Sequence, residues 1–139
     1  MKVKVLAKDR FEVVGVMDGD DCPALDFLQS GEESQAAWRL GLLKMLAHIA
    51  QYGFEKMPAA WSHEANKQGG VFEFRRGSLR LFYFKGADGQ IAVCTSGVLK
   101  KGQKADKRAV SRAVALRAAY FEAQKAGKLE TEREKGDGT

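Results

Sequence analysis

The spacing of apolar residues divides the first half of the chain into a strand and a long helix. Residues 3–17 alternate in polarity and are rich in Val, which predicts a strand that charged residues 8–10 could interrupt. Residues 32–52 predict an amphipathic helix, because apolar positions recur every three or four residues and Gly53 can end it as a left-handed cap. The apolar stripe of this helix consists of Trp38, Leu42, Met45, Ile49 and Tyr52.

The apolar period changes from 3.6 to 2 in the second half of the chain. Three short strands are predicted there, over residues 71–76, 78–85 and 91–98. Gly77 and the turn formers at 86–89 separate them, which favours an antiparallel meander. Before the meander, residues 54–68 contain Pro58 and small side chains, and they predict either a short helix or an irregular hairpin.

A second long helix and a polar tail complete the predicted order. Residues 106–126 return to a helical period, with Asp106 as the candidate N-cap and Gly127 after the last turn. Residues 129–139 are charged and poor in apolar side chains, so we expect a disordered tail. Strand, helices, three-strand meander and C-terminal helix together predict one α+β domain over residues 1–128, with the helices packed on one face of an antiparallel sheet.

Composition narrows the class of protein. A chain of 139 residues with 45% hydrophobic content can bury one core. Charges interrupt its apolar stretches well before the roughly 18 residues that a membrane span needs, so we expect no membrane association and a cytoplasmic location. Cys22 and Cys94 have no Cys or His neighbours at metal-ligand spacing, which favours two buried thiols over a metal site or a disulfide.

Charge is segregated along the chain. Residues 71–128 carry 13 Lys and Arg against 4 Asp and Glu, a net charge of +9, whereas residues 1–70 and 129–139 each have a net charge of −2. A basic surface on the second half of the fold predicts a polyanionic partner, with RNA as the favoured one. A solvated basic face without a partner is the alternative.

Three blocks of the basic half, taken in order and at their spacing, resemble a known family. They are an aromatic-Glu-aromatic-Arg strand at 72–75, an Arg followed by an apolar-aromatic run at 80–84, and a strand leading into a Lys-Lys-x-x-Lys loop at 97–104. This pattern is similar to the RelE/ParE superfamily of bacterial toxins, in its HigB-like, phage-derived branch. The resemblance extends over residues 11–120 and implies the RelE-like fold.

The resemblance implies the toxin of a type II toxin-antitoxin system. Such a protein is a metal-independent endoribonuclease that cleaves mRNA, here expected on the ribosome, by attack of a 2′-OH on the adjacent phosphate. No cofactor and no metal are expected. The implied partners are mRNA, the ribosome and a cognate helix-turn-helix antitoxin in a hetero-oligomer. Two alternatives stay open: a non-catalytic phage-derived module that binds nucleic acid or protein, and a ParE-like inhibitor of DNA gyrase.

The resemblance also implies the catalytic positions. It places Arg80, Lys100 and Lys101 where the family binds and activates the scissile phosphate, and Arg75 at a neighbouring basic position. Glu73 shares a strand face with Arg75 by alternation, and a structural carboxylate paired with Arg75 is favoured over a general base.

Arg80 leaves two structural possibilities open. It falls in register with Phe82 and Phe84, so either a β-bulge near Ser78 or an inward guanidinium beside the core is implied.

Further residues are candidates for RNA binding, each with a simpler structural alternative. Tyr83 could stack on a base or pack across strands. The other candidates are cations, namely Lys67, Lys104, Arg108 and Arg112. His63 is a weak candidate to approach the RNA, and His48 is expected to be a packed or half-exposed helix residue.

Overall fold

The computed structural model describes residues 1–100 and 106–133, which form a seven-stranded mixed sheet with three α-helices. The strands are β1 (Lys2–Lys8), β2 (Glu12–Val16), β3 (Ser62–Asn66), β4 (Val71–Arg76), β5 (Leu79–Phe84), β6 (Gln90–Leu99) and β7 (Glu130–Glu132). The helices are α1 (Pro23–Gln29), α2 (Ala36–Tyr52) and α3 (Lys107–Lys125), with short 3₁₀ turns at Glu33–Gln35 and Ala59–Trp61. The α+β class and the predicted meander are therefore confirmed.

The sheet order is β3-β4-β5-β6-β2-β1-β7. Strands β3 to β6 pair antiparallel in sequence, as turn chemistry predicted. The expectation of an antiparallel sheet is nevertheless wrong for the whole molecule, since β2 pairs parallel to β6 and β1 pairs parallel to β7. These two pairings join segments far apart in sequence, and no local turn signal can reveal them.

Helices cover both faces of the sheet. On one, the α2 face, Leu42 lies in the same core cluster as Phe74. On the other, the α3 face, Val110 lies in the same cluster as Phe82. The prediction that the helices share one face is wrong, because β5 is apolar on both sides apart from Arg80, and such a strand needs cover on both.

Helix α2 buries the predicted stripe along most of its length. Leu42, Met45 and Ile49 are at most 3% exposed, while Tyr52 in the last turn is 42% exposed. Gly53 follows with a φ of 76°, in the left-handed region that a helix-ending glycine favours. Cys22 and Cys94 are buried and free, as predicted.

Helix α3 begins at its predicted cap. The Asp106 side chain accepts a hydrogen bond from the backbone N–H of Ala109 at 3.1 Å. Three side chains of α3 are buried, namely Val110, Ala113 and Tyr120. None of the helices in the described parts of the chain has the length and apolar content that crossing a bilayer would require.

The start of the predicted disordered tail is ordered, which corrects that expectation. Strand β7 pairs with β1, and Arg133 Nε donates to Glu12 Oε2 at 2.9 Å. The sequence did not predict this strand, because its composition is highly charged and its partner, β1, lies at the opposite end of the chain. Positions 134–139 lie outside the described residues.

Candidate functional site

Two arginines converge on one carboxylate on the α3 face of the sheet. Arg75 Nε donates to Glu73 Oε2 at 2.9 Å, and Arg80 Nε lies 3.1 Å from the same oxygen. The side chains of Arg80 and Glu73 are 15% and 12% exposed, and that of Arg75 is 36% exposed. We call these three residues the Arg-Glu-Arg cluster, which has a net charge of +1.

The β4–β5 hairpin sets the geometry of the cluster. Gly77 has a φ of 56°, and the strands then pair without a shift, so that Arg75 is opposite Arg80 and Glu73 is opposite Phe82. Cross-strand partners point to the same face. The bulge that was one explanation for Arg80 is therefore absent from this hairpin, and the guanidinium lies beside the core of the α3 face.

Backbone contacts hold the Arg80 guanidinium in one orientation. Its Nη1 donates to the carbonyl oxygens of Gly77 and Leu79 at 2.8 and 2.9 Å. Its Nε is buried and is not aligned to donate to Glu73, so it has no hydrogen-bond partner among the described residues. Among the described residues, Arg80 Nη2 and the two Nη groups of Arg75 have no hydrogen-bond acceptor. These N–H groups can therefore donate to a bound anion.

The surroundings of Arg80 disfavour the charged form of its guanidinium. Burial lowers the pKa of Arg80 from its usual value, the cation of Arg75 lowers it further, and Glu73 opposes both effects. An anionic ligand would supply the additional negative charge that this arrangement lacks. The cluster can therefore bind a phosphate by charge-assisted hydrogen bonds from two guanidinium groups.

Glu73 is paired with Arg75, as strand alternation favoured, and it also lies against Arg80, which was not predicted. Its Oε2 faces both arginines, so this oxygen is occupied in holding them. Its side chain is 12% exposed, and β4, which carries it, lies between β3 and β5.

Lys100 lies at the same end of the sheet as the cluster. Its backbone N–H donates to the Ser78 carbonyl at 2.8 Å, which continues the pairing of β6 with β5. Val98 is opposite Arg80, and Lys100 follows two residues later, so alternation places Lys100 on the α3 face. Lys101 and Lys104, the other predicted loop cations, lie outside the described residues.

Tyr83 does not face a groove, so of its two predicted roles the structure favours packing across strands over stacking on a base. It is 1% exposed on the α2 face, and its ring is stacked on Phe74 with centroids 3.9 Å apart. Its hydroxyl shares a 2.6 Å hydrogen bond with Ser62 Oγ. Burial raises the pKa of Tyr83 to about 12, and the hydrogen bond with Ser62 partly opposes that shift.

The remaining predicted RNA contacts are exposed cations around the α3 face. Lys67 lies in the β3–β4 turn, roughly 13 Å from Arg75 along β4 at the usual strand rise, so it is not part of the cluster. Arg108 and Arg112 are exposed on α3. Arg112 forms an ion pair with Asp18 at 3.7 Å, and both side chains are mostly exposed, so the pair contributes little stability.

His63 is closer to the cluster than the prediction of a short helix or an irregular hairpin for residues 54–68 indicated. It lies on edge strand β3, directly opposite Glu73 on β4. A signal for this was present in the sequence, since residues 67–70 form a short turn that ends in two glycines, but the segment before it was not recognised as a strand. His48 is half-buried on α2 against Tyr52 and Trp61, as expected of a packed helix residue.

Within the described residues, no three or more His, Cys, Asp or Glu side chains are grouped so that they could hold a metal ion. Neither a protein-family model nor a curated protein sequence matches the chain.

Proposed function

We propose that the protein is a metal-independent endoribonuclease of the RelE/ParE type, the toxin of a type II toxin-antitoxin system. The observation that carries the proposal is the Arg-Glu-Arg cluster, in which Glu73 and backbone carbonyls hold two arginines with N–H donors left over. Two of the three blocks that resemble the family, 72–75 and 80–84, contain the three residues of this cluster.

The proposed reaction is transfer of the RNA phosphate from its 5′ oxygen to the neighbouring 2′ oxygen. Two negative charges develop on the phosphorane during the attack, and preorganised cations aimed at that charge accelerate such reactions most. Arg80 is the principal stabilising group, since its guanidinium is fixed by Gly77 and Leu79. Arg75 is more exposed and binds the incoming phosphate, and Glu73 positions both side chains.

The proposed substrate is mRNA bound on the ribosome. The exposed cations Lys107, Arg108 and Arg112 on α3 extend the positive surface beyond the cluster, and such surfaces bind nucleic-acid backbones without reading sequence. A cognate helix-turn-helix antitoxin would neutralise the toxin by covering this face. A protein that acts on translating ribosomes works in the cytoplasm, so the proposal places it there.

The test is cleavage of a translated mRNA in a purified translation reaction, with 5′ ends mapped for the intact protein and for Arg80→Ala. Loss of one preorganised donor typically costs roughly 100- to 1000-fold in rate, and we expect that loss for Arg80→Ala. The control is Arg76→Ala, which removes an exposed arginine one strand position from Arg75, on the α2 face. Thermal unfolding of both variants separates lost chemistry from lost structure.

The alternatives give different outcomes in the same reaction. Cleavage by the intact protein and by Arg76→Ala, but not by Arg80→Ala, supports the endoribonuclease. An Arg80→Ala variant that cleaves at the intact rate removes the cluster from the mechanism. RNA binding without any cleavage by the intact protein would instead identify a non-catalytic binding module.

A further inference from the structure

The register of β3 brings a histidine to the Arg-Glu-Arg cluster. His63 is paired with Glu73, and Glu73 is paired with Phe82, so His63 and the cluster are neighbours on the α3 face. Side chains directly opposite on paired strands have Cβ atoms about 5 Å apart, and the diagonal to Arg75 is roughly 7–8 Å. A phosphate bound by Arg75 and the ribose attached to it can occupy that distance.

The imidazole of His63 has one ring nitrogen engaged and one available. Nε2 lies 3.2 Å from the carbonyl oxygen of Ala60, which can only accept, so the tautomer that forms this hydrogen bond carries its proton on Nε2. Nδ1 then holds a lone pair, and it has no partner among residues 1–100 and 106–133. A half-buried imidazole in that tautomer is equipped to accept a proton.

We infer that His63 is the general base of the site and that its Nδ1 removes the proton from the ribose 2′-OH. The inference rests on the proposed endoribonuclease function and adds the residue that the Arg-Glu-Arg cluster does not supply. Both arginines are cations that donate hydrogen bonds, and Glu73 Oε2 accepts one from Arg75 and lies 3.1 Å from Arg80 Nε. His63 lies beside the cluster, opposite Glu73, and its Nδ1 lone pair can accept a proton.

The proton and electron balance of the step is complete. Nδ1 takes the 2′-OH proton and becomes imidazolium, the 2′ oxygen forms a bond to phosphorus, and the bond from phosphorus to the 5′ oxygen breaks. The 5′ oxygen leaves with that electron pair and takes a proton from solvent. The products are a 2′,3′-cyclic phosphate and a 5′-hydroxyl, and no metal, oxidant or other reactant is required.

The charged groups around His63 are of both signs. On the neighbouring strands they are Glu73, Arg75 and Arg80. Helix α3 packs over Ala65 of β3, but its Arg112 is paired with Asp18 and its Arg117 lies over the ring of Phe121. Glu64 is adjacent in sequence and alternates to the α2 face.

One test uses imidazole NMR, which does not depend on cleavage. The chain has two histidines, so ¹H–¹³C imidazole spectra contain two sets of signals, and His48→Gln assigns them. We expect uridine 3′-monophosphate, added at millimolar concentration, to shift the His63 signals and to leave those of His48, on the opposite face, in place. Unmoved His63 signals at saturating nucleotide would overturn the inference.

The second test compares cleavage by His63→Gln and His48→Gln across pH. Loss of a general base typically costs 10²- to 10⁴-fold and removes one limb of the pH–rate profile, and we expect both changes for His63→Gln. His48→Gln should keep the rate and profile of the intact protein. If His63→Gln retains both while Arg80→Ala is inactive, the inference is wrong and the proposed function stands. If the intact protein itself does not cleave RNA, the proposed function fails and the inference fails with it.

Discussion

At the scale of single residues, Tyr83 shows how a buried polar group differs from a ligand-binding one. Its ring lies against Phe74, and its hydroxyl is satisfied by Ser62 across β4. An aromatic ring with a satisfied hydroxyl stabilises the core and leaves nothing for a nucleotide base. Arg80 is the opposite case, because it is largely buried and has an unsatisfied Nε.

The raised pKa of Tyr83 predicts a loss of stability at alkaline pH. The unfolded phenol ionises near its ordinary pKa of 10, whereas the folded pKa is about 12. The stabilising effect is therefore complete below pH 10 and is lost as pH rises from 10 towards 12. Two pKa units correspond to roughly 2–3 kcal/mol.

Urea unfolding of the intact protein and of Tyr83→Phe at pH 9, 10 and 11 measures this effect. We expect the free energy of unfolding to fall more steeply with pH in the intact protein than in Tyr83→Phe. Cys94 is fully buried and its pKa is also raised, so it adds to the decline in both proteins and cancels in the comparison. Identical slopes would show that Tyr83 ionises normally in the folded protein.

At the scale of elements, α3 is the helix whose start depends on one side chain. Asp106 accepts from the N–H of Ala109, and Val110 and Ala113 in the following turns pack against the α3 face beside the cluster. If the first turn of α3 unfolded, the packing of Val110 and Ala113 against the sheet would be weakened.

Removal of the cap should therefore destabilise the whole domain measurably. We expect Asp106→Ala to lower the free energy of unfolding by about 1 kcal/mol, the usual value of an N-cap side chain. Asp106→Ser keeps an oxygen acceptor at the cap and should lose much less. Equilibrium urea unfolding of the three proteins gives both differences, and equal losses for Ala and Ser would mean that the hydrogen bond to Ala109 contributes nothing.

At the scale of the whole molecule, the two ends of the described chain are joined in one sheet. Strand β7 pairs with β1, and Arg133 contacts both carboxylate oxygens of Glu12 at 2.9 and 3.2 Å. The Glu12 side chain is 13% exposed, so its charge depends on the guanidinium more than a surface carboxylate would.

Two ion pairs join residues 132 and 133 to the N-terminal hairpin and can be compared directly. Among residues 1–100 and 106–133, Arg133→Ala leaves the partly buried Glu12 carboxylate with the 3.4 Å contact to Gln90 alone, and we expect a loss of roughly 1–2 kcal/mol. Lys2→Ala removes the exposed pair with Glu132, whose atoms are 3.5 Å apart, and should cost at most about 0.5 kcal/mol. Urea unfolding tests both, and equal effects would show that burial of Glu12 is unimportant.

Local patterns in the sequence determined the helices, the meander and the strand face that Glu73 and Arg75 share. Period 3.6 identified α2 and α3, and the Asp106 cap and Gly127 bounded α3. Alternation along β4 placed Glu73 and Arg75 together on the face opposite Phe74, because successive side chains of a strand point to opposite sides. These features depend on residues close in sequence, so the printed chain contains the information for them.

Pairing between distant segments was decided by the tertiary structure alone. The parallel pairs β2–β6 and β1–β7 made the sheet mixed, and burial of β5 on both sides required α3 opposite α2. The same long-range geometry buried Tyr83 and brought His63 opposite Glu73. A composition rich in charge predicts disorder for residues 129–139, yet pairing with β1 and the contact of Arg133 with Glu12 stabilise strand β7 within that segment. Contacts of this kind exist only once the sheet has formed, and for that reason no local pattern encodes them.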